Sequence, residues 1–415
     1  MGLASEFRPP QFVATGGWVP SAVTLATSSS TSTRHDRTRH RIGAGGFRDL
    51  QVVWGNYYLN IGSEVDIPAV DDVQASILMN GVLKRLTFSG SNNASMTAGQ
   101  ALLISDKVTP EDFGLTAATS AGQNFYITAR FQVTAPAAHR DFNPIGVRTD
   151  PVGEPVGSIR GMLTADTVNQ VMTGVALTGG NVRLVPPLAI IGHTQTPSIS
   201  LLATGDSLMI GQNDTGWAAS DGSNGGGWLA RACYSSQVPY CNVGKSGTSS
   251  GSFTGANIAK RALLFPYASH VINNFGANDL GAGGTATALV NNLRTNIWQY
   301  FSAMPNIQRV EQVLVIPRTT STNSWINAAG QTELANYVTH RNAANAAIIA
   351  NVGSDGLDAV IDFNTAAVED PLNLGKWATN GTTLWATNDG IHRQAPSSID
   401  NASVFETRLA TWARV

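Results

Sequence analysis

Two rhythms of apolar and polar positions divide the chain. From 47 to about 136, short apolar runs recur between polar breaks: "LQVVWGNYYLNI", "DVQASILMN", "LKRLTFSG", "QALLIS" and "NFYITARFQV". They are rich in β-branched and aromatic residues and are separated by Gly, Asn, Ser or Pro. Five such runs at regular spacing predict an all-β sandwich, jelly-roll-like, with no helix of note. After Pro197 the rhythm becomes strand, helix, strand, helix. "SISLLATG", "VPYCNVG", "SHVINNFG", "VEQVLVIP" and "DAVIDFN" read as strands. Helices are expected around 228–234, 256–265, 285–303, 328–351 and 397–415. Alternation of this kind predicts an α/β domain in three layers, a parallel sheet covered on both faces. In such sheets a site forms at the carboxyl ends of the strands.

The remaining segments carry weaker patterns. Residues 1–7, "MGLASEF", read as a vector-derived tail, because common restriction sites encode Ala-Ser and Glu-Phe. Residues 8–46 are rich in Ser, Thr, Gly and Arg and read as an extended N-terminal arm. Residues 137–196 are rich in Pro and Gly, with two apolar runs, "VMTGVALTG" and "VRLVPPLAII". They form a connection or complete the β-domain. The α/β domain then occupies 197–415.

Composition sharpens this picture at a few points. A chain of 415 residues exceeds one ordinary core and calls for two domains. Only 13% of residues are charged while glycine is abundant, which suits β-rich folds with many turns and a loop-built site. The formal net charge of -2 steers the chain toward neither nucleic acid nor an anionic membrane. One basic run stands out: Arg34, Arg37, Arg39 and Arg41 with His35 and His40. It reads as a solvated loop, with a polyanion contact as the alternative. Two cysteines, Cys233 and Cys241, exclude a disulfide scaffold and a four-thiolate zinc site. Their separation is compatible with one disulfide or with two free buried thiols. No apolar run is long enough to span a bilayer, and no secretory signal is visible. With the start read as vector-derived, the compartment stays open between secreted, cell-surface and cytoplasmic.

Chemistry concentrates at the ends of the later strands. "ISLLATGDSLMIGQND" runs apolar and then breaks at Gly205-Asp206-Ser207-Leu208, which puts Ser207 in the turn after a strand. A serine hydroxyl is a weak nucleophile and needs a base, which in turn needs an orienting group. "TNDGIHRQ" supplies such a pair: Asp389 and His392 lie three apart across Gly390. One turn can set the carboxylate against one ring nitrogen and leave the other for the serine. Donors for an oxyanion are available from Asn278 in "NNFGANDL" and from Gly247 in "NVGKSGTSS", with Gly244 as the fallback and the Ser207 N–H as the third. Each of these stretches taken alone also fits an ordinary strand-end turn. Their convergence on one sheet edge is what carries weight. "GTSSG" formally fits a nucleophile elbow at Ser249, but loop residues separate it from its strand. "GKS" fails as a phosphate loop because Pro239 stands where a glycine is required. His340 lies in an alanine-rich helical stretch. Asp358 and Asp362 flank a predicted strand as substitutes for Asp389. Trp377 and Trp385, just before Asp389, either pack that loop or wall the substrate.

These blocks, in this order, make residues 196–415 resemble the SGNH, or GDSL-type, hydrolase family. The resemblance rests on Gly205-Asp206-Ser207-Leu208, Ser246-Gly247, Gly276-Ala277-Asn278-Asp279 and Asp389-Gly390-Ile391-His392. It implies that Ser207 is the nucleophile, that Asp389 and His392 complete a triad, and that Gly247 and Asn278 complete the oxyanion hole. Thr248 departs from the acidic residue often found after that glycine. A β-sandwich ahead of such a domain resembles some carbohydrate esterases. The expected function is a serine esterase acting on short-acyl esters, with carbohydrate O-acetyl groups first. A lipase or thioesterase for longer chains is the alternative, as is a non-catalytic cell-surface or phage-tail glycan-binding protein. No metal and no cofactor is called for, and the partner is a small ester or acetylated glycan.

Overall fold

The fold is that of a computed structural model, which describes residues 9–19, 26–28, 32–60, 62–133, 137–139, 160–164, 169–177, 185–214 and 227–412. The 1–7 tail and much of the 137–196 connection lie outside these residues. Both predicted rhythms have their counterparts in the structure: antiparallel sheets built largely from the first half, and a parallel sheet flanked by helices in the second.

The parallel sheet has six strands in the order Gly17–Trp18, Tyr240–Asn242, Leu201–Thr204, His270–Asn273, Arg309–Val313 and Ala359–Ile361. Its central strands are buried throughout, as expected of a sheet covered on both faces. Helices Gly227–Ser235 and Ala395–Leu409 pack on one another and share a core with Leu201, Ala203, Ile272 and Phe363. A second cluster unites Leu202, Cys241 and Val271 with Phe265, Leu293 and Trp298, and reaches Phe12, Tyr57 and Leu188 of the first half. No helix among the described residues is long and apolar enough to cross a membrane.

Several helix expectations shift for local reasons. The stretch at 256–265 forms two 3-10 turns, Gly255–Asn257 and Arg261–Tyr267, in place of an α-helix. Pro266 lies within the second, and the Glu64 carboxylate accepts the N–H groups of Lys260 and Arg261 at 2.7 and 2.8 Å. The helix expected from 328 begins only at Ala335, because Gln331–Glu333 pairs as a strand with Thr319–Ser321. The last helix begins at Ala395 with Pro396 in its first turn.

The basic run is the largest correction. Ser32–Arg41 is a ten-residue strand between Asn124–Val133 and Arg160–Thr164, antiparallel to both. Residues Thr33 to His40 are buried. Several of their polar groups are matched locally, which offsets the cost of burial. Arg34 forms a two-pronged pair with Asp36 at 2.7 and 2.8 Å. Arg37 lies 4.4 Å from the Tyr126 ring centroid and donates to Thr128. His40 contacts the Thr38 hydroxyl and the Thr15 carbonyl. The arm expected over 8–46 therefore supplies strands to four sheets: Gln11–Phe12, Ala26–Ser28 and Ser32–Arg41 to antiparallel ones, Gly17–Trp18 to the edge of the parallel one.

Cys233 and Cys241 are free, buried thiols. Burial pushes both thiols up, so neither is primed as a nucleophile.

Candidate active site

Three neighbouring strands of one parallel sheet must release their chains at the same edge. Leu201–Thr204 leads into Ser207, Tyr240–Asn242 into Gly247, and His270–Asn273 into Asn278. This adjacency brings together residues as distant in sequence as 207 and 278.

The Ser207 turn is fixed by Gly205 and Asn274. Gly205 has φ of 153°, and a Cβ there would lie 1.9 Å from Asn274 Oδ1. That oxygen instead receives the Asp206 N–H at 3.3 Å, so only glycine admits the clamp. Asp206 Oδ1 accepts the Leu208 N–H at 2.9 Å and closes the turn around Ser207.

His392 and Asp389 sit on a hairpin closed by a bridge between Thr387 and Arg393. Ser207 Oγ lies 2.8 Å from His392 Nε2, and His392 Nδ1 lies 2.6 Å from Asp389 Oδ2. A carboxylate can only accept, so Nδ1 carries the proton and Nε2 is free to accept from the serine. Asp389 also accepts the N–H groups of Ile391 and His392 at 2.9 and 2.8 Å, and the Asn213 amide at 2.9 Å. Partial burial pushes this carboxyl up. The ring and backbone hydrogen bonds from His392 and the Ile391 N–H outweigh that push and hold it down at about 2.

Gly390, at φ of 75°, pins the hairpin to the fold. Its carbonyl accepts the Thr319 N–H at 3.1 Å and the Trp377 indole N–H at 3.0 Å. Trp377 is fully buried, so it braces this turn from beneath and offers no face to a substrate, against that part of the expectation. Trp385 is half-buried against the same core.

The expected oxyanion donors follow strands that end at the same sheet edge. Gly247 is exposed with φ of 77°, and its N–H has no acceptor among the described residues; the same holds for the Ser207 N–H. The fallback, Gly244, has its N–H committed to Asn242 Oδ1 at 2.9 Å. Asn278 Nδ2 donates to the Thr248 carbonyl at 3.1 Å, which ties it to the residue after Gly247 and leaves a second amide hydrogen. Ser249 precedes a 3-10 turn and, among the described residues, makes no hydrogen bond to a histidine. Asp358 and Asp362 cap backbone N–H groups of Val310, Asn364 and Thr365, far from the role of a triad acid. His340 lies on the helix Ala335–Ala350. Among the described residues, no three His, Cys, Asp or Glu side chains gather as a metal site.

Sequence reasoning missed Asn213, Asn274 and Thr387. Asn213 has φ of 68°, so its residue type signalled a turn, but nothing local signalled a bond to Asp389. Thr387 Oγ1 accepts the Gly390 N–H at 2.9 Å, again a contact set by the fold.

No family model matches the chain, and no curated protein matches it. Solved structures to which it is similar include a putative lipolytic protein of the G-D-S-L family from Desulfitobacterium hafniense, at 13% identity and TM-score 0.35, covering 50% of this chain and 98% of that one. A family two carbohydrate esterase from Clostridium thermocellum, an active-site mutant, covers 94% of this chain and 98% of its own at 9% identity and TM-score 0.36. A carbohydrate esterase family 2 enzyme with a carbohydrate binding domain, from Corynascus thermopiles, covers 97% and 98% at 15% identity and TM-score 0.36. Similarity at this level leaves the geometry of the site as the basis for a functional assignment.

Proposed function

We propose that the protein is a serine ester hydrolase in which Ser207 is the nucleophile, His392 the general base and acid, and Asp389 the group that orients the ring. The observation that carries this is the unbroken chain of hydrogen bonds from Ser207 through His392 to Asp389. Ser207 Oγ attacks the ester carbonyl while its proton passes to His392 Nε2. The new C–O bond makes a tetrahedral oxyanion, received by the Ser207 and Gly247 N–H groups and the Asn278 amide. Collapse breaks the bond to the alcohol, which leaves with the proton from His392. Water then gives a proton to the same nitrogen, attacks the acyl carbon and releases the acid, restoring Ser207.

The substrate reading is a short-acyl ester, with O-acetyl groups on carbohydrate first. The antiparallel half is read as a β-sandwich that binds or shades such a glycan. Longer acyl chains have one observation in their favour. The hairpin of Glu369–Asp370 and Asn373–Trp377, whose last residue braces Gly390, exposes Leu372 at 91% and Leu374 at 67%. Hydrolysis of p-nitrophenyl esters from acetate upward, alongside acetylated glycans, ranks the two. Activity should be highest at acetate and fall by roughly 10⁴ or more in kcat for Ser207→Ala. A folded Ser207→Ala protein that keeps most of its turnover would remove the proposal, and no turnover by the wild type would favour the binding alternative.

A further inference from the structure

Asp206 and Arg393 stand directly before Ser207 and directly after His392. Both side chains are buried, Asp206 fully and Arg393 to 4% exposure. Among the described residues, Asp206 Oδ2 has no hydrogen-bond partner, and neither has any of the three guanidinium nitrogens of Arg393. The guanidinium instead lies 5.4 Å from the Phe363 ring centroid. Ser397 Oγ and both polar side-chain atoms of Asn401 are buried and unpartnered too, four residues apart on one face of the last helix. Buried polar atoms without partners thus stand next in the chain to both reacting residues.

Four other buried arginines are ion-paired: Arg34 with Asp36, Arg231 with Asp214, Arg261 with Glu64 and Arg341 with Glu369. Arg393 departs from that pattern. A buried cation without a hydrogen-bonded partner persists only where an opposite charge is near. The charged group whose field reaches Arg393 is Asp206. The groups facing Asp206 come from three elements. His392 and Arg393, from the hairpin and its exit, favour its ionised form; Asp279, from helix Ala277–Gly281, opposes it; Tyr337, from helix Ala335–Ala350, donates to the Ile316 carbonyl. Burial dominates and pushes the carboxyl up to about 7.

We propose that Arg393 is a positioning residue that favours the ionised form of Asp206, and that the Asp206 carboxylate supports the positive charge His392 acquires when it takes the serine proton. The imidazolium is then held by two carboxylates, Asp389 through a hydrogen bond and Asp206 through its field. The inference rests on the roles given above to Ser207 and His392. It explains why two buried groups of opposite charge stand next to both reacting residues. Because opposite charge favours ionisation, loss of Arg393 moves protonation of Asp206 to higher pH.

The test is kcat/KM for p-nitrophenyl acetate against pH, for wild type, Arg393→Met, Arg393→Lys, Asp206→Asn and the double variant Asp206→Asn/Arg393→Met, with folding followed by circular dichroism. In Arg393→Met the acid limb should move to higher pH by about one unit, a loss of about tenfold near pH 7 that is recovered at pH 9. Arg393→Lys should restore the limb. In the Asp206→Asn background, Arg393→Met should move nothing. An equal loss at every pH, with the limb unmoved, would overturn the inference, as would a shift that persists without Asp206. Should Arg393→Met not fold, Asp206→Asn alone decides: a changed acid limb is expected, and an unchanged profile overturns the proposal. Full activity of Ser207→Ala would instead sink the hydrolase reading, so the two failures are distinguishable.

Discussion

Asn278 illustrates how single residues divide their duties. One amide hydrogen goes to the Thr248 carbonyl and fixes the side chain; the other is uncommitted, and the proposed mechanism assigns it to the oxyanion. Asn278→Ala is expected to lower kcat by roughly 10²–10³ with little change in KM, because the donor acts on the transition state. Asp389→Asn should cost about 10⁴ in kcat, since an amide cannot hold the same tautomer. The Asp389 carboxyl sits at about 2, so it stays ionised across the working range, and the acid limb of the profile should not report it. Stopped-flow kinetics with an activated ester checks both substitutions. At this scale the sequence was informative wherever a motif is local. Ser207, Asp389 and His392 lie in short local motifs that carried weight together, in their order along the chain. Their supports do not: Asn213 reaches Asp389 across 176 positions, and nothing in "GQND" encodes that distance.

The element that matters most is the Thr387–Arg393 hairpin. A Cβ on Gly390 would lie 1.8 Å from the Thr319 carbonyl oxygen, a backbone atom that cannot swing aside. Gly390→Ala should therefore destabilise the fold by roughly 1–3 kcal/mol and depress kcat, because the turn that aims His392 must move. Trp377→Phe keeps most of the packing and loses the bond to Gly390. The expected cost is about 1 kcal/mol and a fall in kcat at constant KM. A higher KM with unchanged stability would restore Trp377 as a substrate wall. Thermal unfolding with steady-state kinetics separates the outcomes. Element prediction succeeded where burial imposes an alternation, as in Asn124–Val133, or an unbroken apolar run, as in Leu201–Thr204. It failed at Ser32–Arg41, whose ten residues are all polar or charged and so give no apolar alternation to read.

At the scale of the whole molecule, the two halves are joined by more than a connection. Gly17–Trp18 pairs with Tyr240–Asn242 at the edge of the parallel sheet, and Phe12, Tyr57 and Leu188 share a core with Cys241 and Val271. A fragment beginning near residue 197 loses an edge strand and one wall of that core. It should unfold well below the full chain, without a sharp transition, and show little esterase activity. A fragment that unfolds cooperatively at the temperature of the full chain would contradict this view. A two-residue strand has no periodicity, so this joint could not be read from sequence.

The most direct measurement is covalent. A serine-directed fluorophosphonate, followed by peptide mass spectrometry, should place one adduct on the peptide that contains Ser207. Labelling and ester turnover should disappear together in His392→Ala. An adduct on Ser249 in place of Ser207, or ester turnover that persists in protein fully labelled at Ser207, would contradict the account.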